Sequence, residues 1–247
     1  MKRYSFIGPI VFLLIWAIVS KFHFVDSFFL PNPWITFSAL FGLLFNGVLS
    51  KDIFITLERV AAAFFIAGVV GIPLGLFLGS SEKIYRSVEF LMDFFRSTPA
   101  TAIFPLFLLI FGVADASKIA VAAFSAFIII TFNTAYGVLG SKKSRLLVAK
   151  IMGDSRWGRL RHVLFWESLP QTFIGLRQAV SLSLVIVVVT EMFIGTTVGI
   201  GRKIIDFQIT YNVPQMYATI IIAGILGYML NLGFLLLERR VLHWTTK

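Results

Sequence analysis

Seven residues in apolar surroundings carry groups able to hold or gate a solute: Arg96, Ser97, Thr98, Pro99, Thr101, Arg177 and Glu191. Charge inside a bilayer is costly, and where it occurs it marks a pathway or an ion pair. Glu191 lies in Val187-Val188-Val189-Thr190-Glu191-Met192-Phe193-Ile194-Gly195. It reads either as a gate or pathway residue or as a structural carboxylate paired with Arg59 or Arg96. Glu89, Asp93 and Arg96 recur at helical steps and predict an ion-pair stripe, with Arg177 in reach. Ser97, Thr98, Pro99 and Thr101 add hydroxyls and a proline that frees a backbone carbonyl, as at a cavity wall or a simple kink. Glu58-Arg59 reads as an interfacial pair that snorkels.

Catalytic chemistry finds no support. The chain has no cysteine, its three histidines (His23, His162, His243) are scattered, and it has no Gly-rich phosphate loop ending in Lys-Ser/Thr. No nucleophile, base and acid can be grouped. The chain is therefore expected not to be an ATPase or hydrolase, and to bind no metal or cofactor of its own.

These residues must be positioned by membrane helices. Of 247 residues, 58% are hydrophobic and 14% charged, against about 25% charged in soluble domains. Six segments approach the roughly 17–25 residues that cross a bilayer: Tyr4–Phe22, Thr56–Gly79, Glu89–Phe111, Ala116–Leu139, Leu169–Gly195 and Gln215–Leu237. Met1-Lys2-Arg3 before the first of them resembles a signal peptide, but an uncleaved span is the better reading. Pro33–Phe45, after Leu30-Pro31-Asn32-Pro33, reads as an amphipathic interfacial helix. Gly71, Gly75 and Gly79 predict close approach of another helix. The expected organisation is residues 1–50 as a first span plus interfacial helix, 51–240 as the transport domain, and 241–247 as a tail.

The net charge of +10 is concentrated between spans. With both termini in the cytoplasm, and leaving out Arg96 and Arg177 within spans, fourteen Lys and Arg fall inside and six outside. That asymmetry obeys the positive-inside rule and makes nucleic acid an unneeded partner. Seven of the fourteen lie in the loop 140–170: Lys142, Lys143, Arg145, Lys150, Arg156, Arg159 and Arg161. The loop reads as two short helices around a break. Ser144 is expected to cap the first and Gly153 to end it. Asp154 or Ser155 is expected to cap the second. Trp157, Leu160 and Leu164 recur on one face, and Leu169-Pro170 opens the next span. A basic loop of this kind touches anionic headgroups or docks a soluble partner.

The order of these elements resembles the permease subunit of type I ABC importers in the nitrate/sulfonate/taurine branch, an all-α fold of about six spans. Gly153-Asp154-Ser155-Arg156-Trp157 is similar to the family's coupling-loop stretch, with Leu169-Pro170 and Gly175-Leu176-Arg177 after it. Val70-Gly71-Ile72-Pro73-Leu74-Gly75, Arg96-Ser97-Thr98-Pro99, Ile103-Phe104-Pro105-Leu106 and Phe132-Asn133-Thr134 extend the likeness over nearly the whole chain. Leu147-Val148-Ala149 stands where the family has Glu-Ala-Ala, so docking would be more apolar here.

The resemblance implies a subunit of a bacterial inner-membrane importer, present as two copies. It implies two ATPase subunits, which hold ATP and Mg, and an extracytoplasmic solute-binding protein. Leu147, Ala149, Met152, Gly153, Asp154, Ser155, Arg156, Trp157 and Leu160 would couple ATP hydrolysis to alternating access for a small anion. A secondary transporter or channel working without ATPases is the alternative, and a membrane-embedded enzyme a third reading.

Overall fold

The computed structural model describes residues 7–141, 143–193 and 195–243, with the side chains of Lys143 and Arg156 outside the description. The described residues form helices α1 (Ile7–Lys21), α2 (Pro33–Phe45), α3 (Ser50–Gly79), α4 (Glu82–Ser97), α5 (Ala100–Phe111) and α6 (Asp115–Leu139). After these come α7 (Lys143–Ile151), α8 (Arg156–Arg159), a π-helical turn (Leu160–Leu164), α9 (Phe165–Met192), α10 (Ile200–Ile209) and α11 (Val213–Val241). Among the described residues, four stretches are each long and apolar enough to cross a membrane: Ser50–Gly79, Asp115–Leu139, Trp157–Met192 and Val213–Val241.

The expected third span is not one helix. α4 and α5 meet at 93°. Proline forces its predecessor out of the helical region, and Thr98 is extended, at φ −78° and ψ 125°. The first expected span is described only from Ile7, as a 15-residue helix that is apolar until Ser20 and Lys21; Tyr4, Ser5 and Phe6 lie outside the described residues. The fifth begins earlier than Leu169-Pro170, because the helix runs unbroken from Trp157 with Pro170 inside it.

The chain divides into two units, Met1–Ile55 with Glu191–Ile225, and Thr56–Thr190 with Leu226–Lys247. In the first unit, Asn32 caps α2 by accepting the Trp34 N–H at 2.9 Å, with Pro33 at the first helical position. α2 carries no charge and exposes Trp34, Ile35, Phe41 and Phe45. It is apolar all round rather than amphipathic. The Trp16 indole N–H donates to the Pro31 carbonyl at 3.1 Å, and the Tyr217 hydroxyl to that of Phe29 at 3.1 Å. These bonds fasten the loop after α1.

The second unit is built around α6. A β-carbon on Gly75 would sit 2.6 Å from Thr134 Cβ, and one on Gly79 would sit 2.6 Å from the Ala135 carbonyl. α3 and α6 therefore touch backbone to backbone, as the glycine spacing predicts. On its other side α6 receives α9. Gly137 meets Ser168 and Gln171, Gly175 meets Asn133, and the Gln171 amide donates to Asn133 at 3.0 Å. Arg59 does not snorkel. It is buried and pairs with Asp115 at 2.7 Å, and buried Lys118 shares that carboxylate at 3.3 Å.

Candidate functional site

Two sites emerge in the second unit, a loop at one end of the spans and a cavity at the α4–α5 bend. The loop is the α7–α8 segment. α7 ends in a Schellman motif, in which the Gly153 N–H bonds the Lys150 carbonyl (3.1 Å) and the Asp154 N–H bonds that of Ala149 (3.0 Å). Gly153 sits at φ +85°, the left-handed conformation the motif requires. Ser155 then caps α8, its hydroxyl accepting the Gly158 N–H at 3.0 Å. Asp154 is not the cap. Its carbonyl accepts from Arg159 at 2.8 Å, and its carboxylate lies 3.3 Å from the His162 ring. Ser144 does not cap α7 either, since the helix has already begun at Lys143.

Leu146 and Leu164 tie this loop to Leu76 and Val138, and Ala149 is buried. The other apolar side chains face outward: Leu147, Val148, Ile151 (76% exposed), Met152 (80%) and Trp157 (74%). The expected face of Trp157, Leu160 and Leu164 does not form. Trp157 is exposed, Leu160 partly covered and Leu164 buried. The π turn at Leu160–Leu164 inserts extra residues per turn and rotates the register between them. Arg145 pairs with Glu167 of α9, adding a bond between loop and span.

The cavity at the bend measures about 250 Å³. Arg96, Thr98 and Pro99 line it from one side, with Phe124 and Ser125 of α6 and Leu182 of α9 opposite. Ser97 and Thr101 are exposed beside it. The ion-pair stripe does not form as expected. Among the described residues no ion pair joins Glu89, Asp93 or Arg96, and the Arg96 guanidinium lies 4.7 Å over the Phe132 ring. Arg177 sits elsewhere, pairing with Glu238 of α11 at 3.5 Å.

Glu191 belongs to the first unit and is fully buried. Its carboxylate accepts the Gly201 N–H at 3.0 Å, while buried Asp52 accepts the Gly199 N–H at 2.8 Å. Two carboxylates thus hold the first turn of α10, where free N–H groups and the helix dipole favour negative charge. Neither α10 nor the part played by Asp52 was legible in the sequence. The only signal was Gly199-Ile200-Gly201, whose first glycine leaves no room for a β-carbon beside Glu191.

Helices able to cross a membrane, a proline-broken pair beside a cavity and an exposed loop helix joined to a span define a membrane transport subunit. The family model for the binding-protein-dependent transport system inner membrane component matches residues 71–243. The chain belongs to that family of ABC transport permeases. It is 30% identical to the nitrate import permease protein of a Synechocystis species, over 94% of this chain and 86% of that one. It is also 30% identical to the bicarbonate transport system permease protein of Synechococcus elongatus, over 96% and 88%. Its fold is similar to that of the methionine ABC transporter MetNI in an inward-facing form. That likeness has a TM-score of 0.69 and 21% identity, covering 78% of this chain and 95% of the other.

Proposed function

We propose that this chain is the membrane-spanning half of an ATP-driven importer for a small anion. It works as a pair of copies between two ATPase subunits and an extracytoplasmic binding protein, with both termini in the cytoplasm. The observation that carries the reading is the outward face of Ile151, Met152 and Trp157. Ile151 and Met152 lead into the Schellman turn, and Trp157 opens the helix Trp157–Met192.

Large apolar side chains exposed in a water-facing basic loop mark a protein interface. With leucine and valine in place of the family's glutamate and first alanine, the contact is apolar. ATP binding closes the ATPase pair and displaces the loop. The displacement enters α9 without a flexible joint and reaches α6 through the close contacts at Gly137 and Gly175. The α4–α5 cavity then opens to alternate sides, a bistable element biased by a distant ligand. ATP and Mg belong to the partner subunits. The nitrate and bicarbonate named for two relatives, and the cation lining the cavity, support an anionic solute.

The test is purification in mild detergent, followed by reconstitution of whatever ATPase and binding protein accompany the chain. Trp157→Ala should abolish most ATP-driven uptake and stimulated ATP hydrolysis while the protein still inserts. Full retention of both would defeat the coupling role.

A further inference from the structure

α4 differs from every other helix in the transport unit, because it carries a continuous charged face. Glu82, Arg86, Glu89, Asp93 and Arg96 follow one another at steps of four and three, so they align along one side. All five are exposed. The adjoining side, about a quarter turn away, carries Tyr85, Val88 and Met92 and packs against α3 and α6.

Depth follows from the same packing. Tyr85 sits with Ala135, near the end of α6 that leads into the basic loop, and Phe95 meets Phe124 edge to face at 5.6 Å. Ten residues of α4 therefore run alongside eleven of α6, about 15 Å of each at 1.5 Å per residue. α6 is long and apolar enough to cross a membrane, and under the transport reading it does so. Phe124 lies nine residues from its start, or about 14 Å, which is the middle of a hydrocarbon core about 30 Å thick. The charged face thus climbs from the loop side to mid-membrane.

Such a face cannot meet lipid tails, where each charge would be desolvated without compensation. Glu82 and Arg86 answer one another at 2.7 Å. Glu89, Asp93 and Arg96 have no ion-pair partner among the described residues. At its inner end lies the 250 Å³ cavity, the space of about eight waters at roughly 30 Å³ each. Among the described residues, Arg96 is the one charged group in its lining.

Resting on the transport reading, we propose that the charged face of α4 is the wall of a water-filled passage between the loop side and this cavity. Arg96 is the group that holds the anionic solute there. A guanidinium offers a planar fork of donors that fits nitrate, sulfonate, carboxylate or bicarbonate oxygens. Phe132 supports the guanidinium between solutes. Asp93, one turn toward the loop side, weakens the hold so that the solute leaves, as conduction requires.

The chain has no cysteine, so single cysteines report access cleanly. Glu89→Cys, Asp93→Cys and Thr98→Cys are compared with Phe90→Cys and Phe94→Cys, on the neighbouring apolar face. Each full-length variant is placed in lipid vesicles. Each is treated with the anionic 2-sulfonatoethyl or the cationic 2-trimethylammonioethyl methanethiosulfonate. The first three should label at least about ten-fold faster than the two controls, as water-borne reagents demand a thiolate in water.

For Thr98→Cys the anionic reagent should lose about ten-fold of its advantage on Arg96→Gln. One unit charge about 6 Å away in a water-like medium changes each rate about three-fold, in opposite directions. Arg96→Lys should restore most of it. Equal labelling on both faces overturns the passage, and a ratio unmoved by Arg96→Gln overturns the anion site. Labelling needs no ATPase, so full retention of ATP coupling in the Trp157→Ala experiment would strike the importer reading without touching this one.

Discussion

Gly153 offers the sharpest test of how the loop is held. A β-carbon there meets nothing within 4 Å, yet the backbone sits at φ +85°. Gly153→Ala therefore changes no contact and adds only the strain of a left-handed L-residue, about 1–2 kcal/mol. Asn tolerates that conformation better than Ala, and Val, β-branched, tolerates it worse. If the Schellman-closed loop is the form that docks, its population falls by up to about 5–30-fold for Ala, and apparent affinity for the ATPase falls with it. Titrating purified ATPase against the permease in nanodiscs reads this directly. The expected order of affinity is Gly, then Asn, then Ala, then Val. An Ala variant that binds as well as the native chain, or an Asn variant weaker than Ala, would refute the argument that backbone conformation sets the docking form.

Three further outcomes follow from the packing. Gly75→Ala should destabilise by about 1–3 kcal/mol in detergent unfolding, because its β-carbon would lie 2.7 Å from the Thr131 carbonyl. Gly68→Ala on the same helix, with nothing within 4 Å, should stay near neutral. Asp52→Ala should leave the buried Gly199 N–H without that acceptor, costing about 1–3 kcal/mol and speeding amide exchange at the start of α10, while Asp52→Asn keeps an oxygen there and costs less. Asp115→Ala removes the carboxylate shared by two buried cations and should lower the unfolding temperature well beyond Glu82→Ala, whose pair is exposed.

The readable parts of this chain are those governed by local chemistry. Asn32-Pro33 starts a helix because a side-chain acceptor and a missing N–H suit the first turn. Gly153 and Ser155 end and restart one for equally local reasons, and Gly75 and Gly79 announce a tight neighbour without naming it. The cavity residues Arg96, Thr98 and Pro99 were also legible, because a hydroxyl, a proline and a cation stand out in apolar sequence. Ser125 and Leu182 were not, since nothing in their own segments distinguishes them from lipid-facing or packing residues.

The errors share one cause. Glu89, Asp93 and Arg96 share a helical face in sequence, but the pairing expected there depended on what faced them. Arg96 turned to Phe132, and Arg177 found Glu238 sixty-one residues away. Trp157, Leu160 and Leu164 keep an ideal period only if every turn is α-helical, and the π turn breaks it.

Sequence alone determined the helical class, the basic loop, the break at Gly153 and the glycine contacts of α3. Backbone propensity, charge and hydropathy act within a few residues, so they are written locally. Only the tertiary structure decided which charges are buried, that α4 and α5 part at 93°, that Asp52 and Glu191 hold α10, and that the α4 charges stay exposed. Those outcomes belong to side chains far apart in the chain, whose partners exist only once the helices have packed.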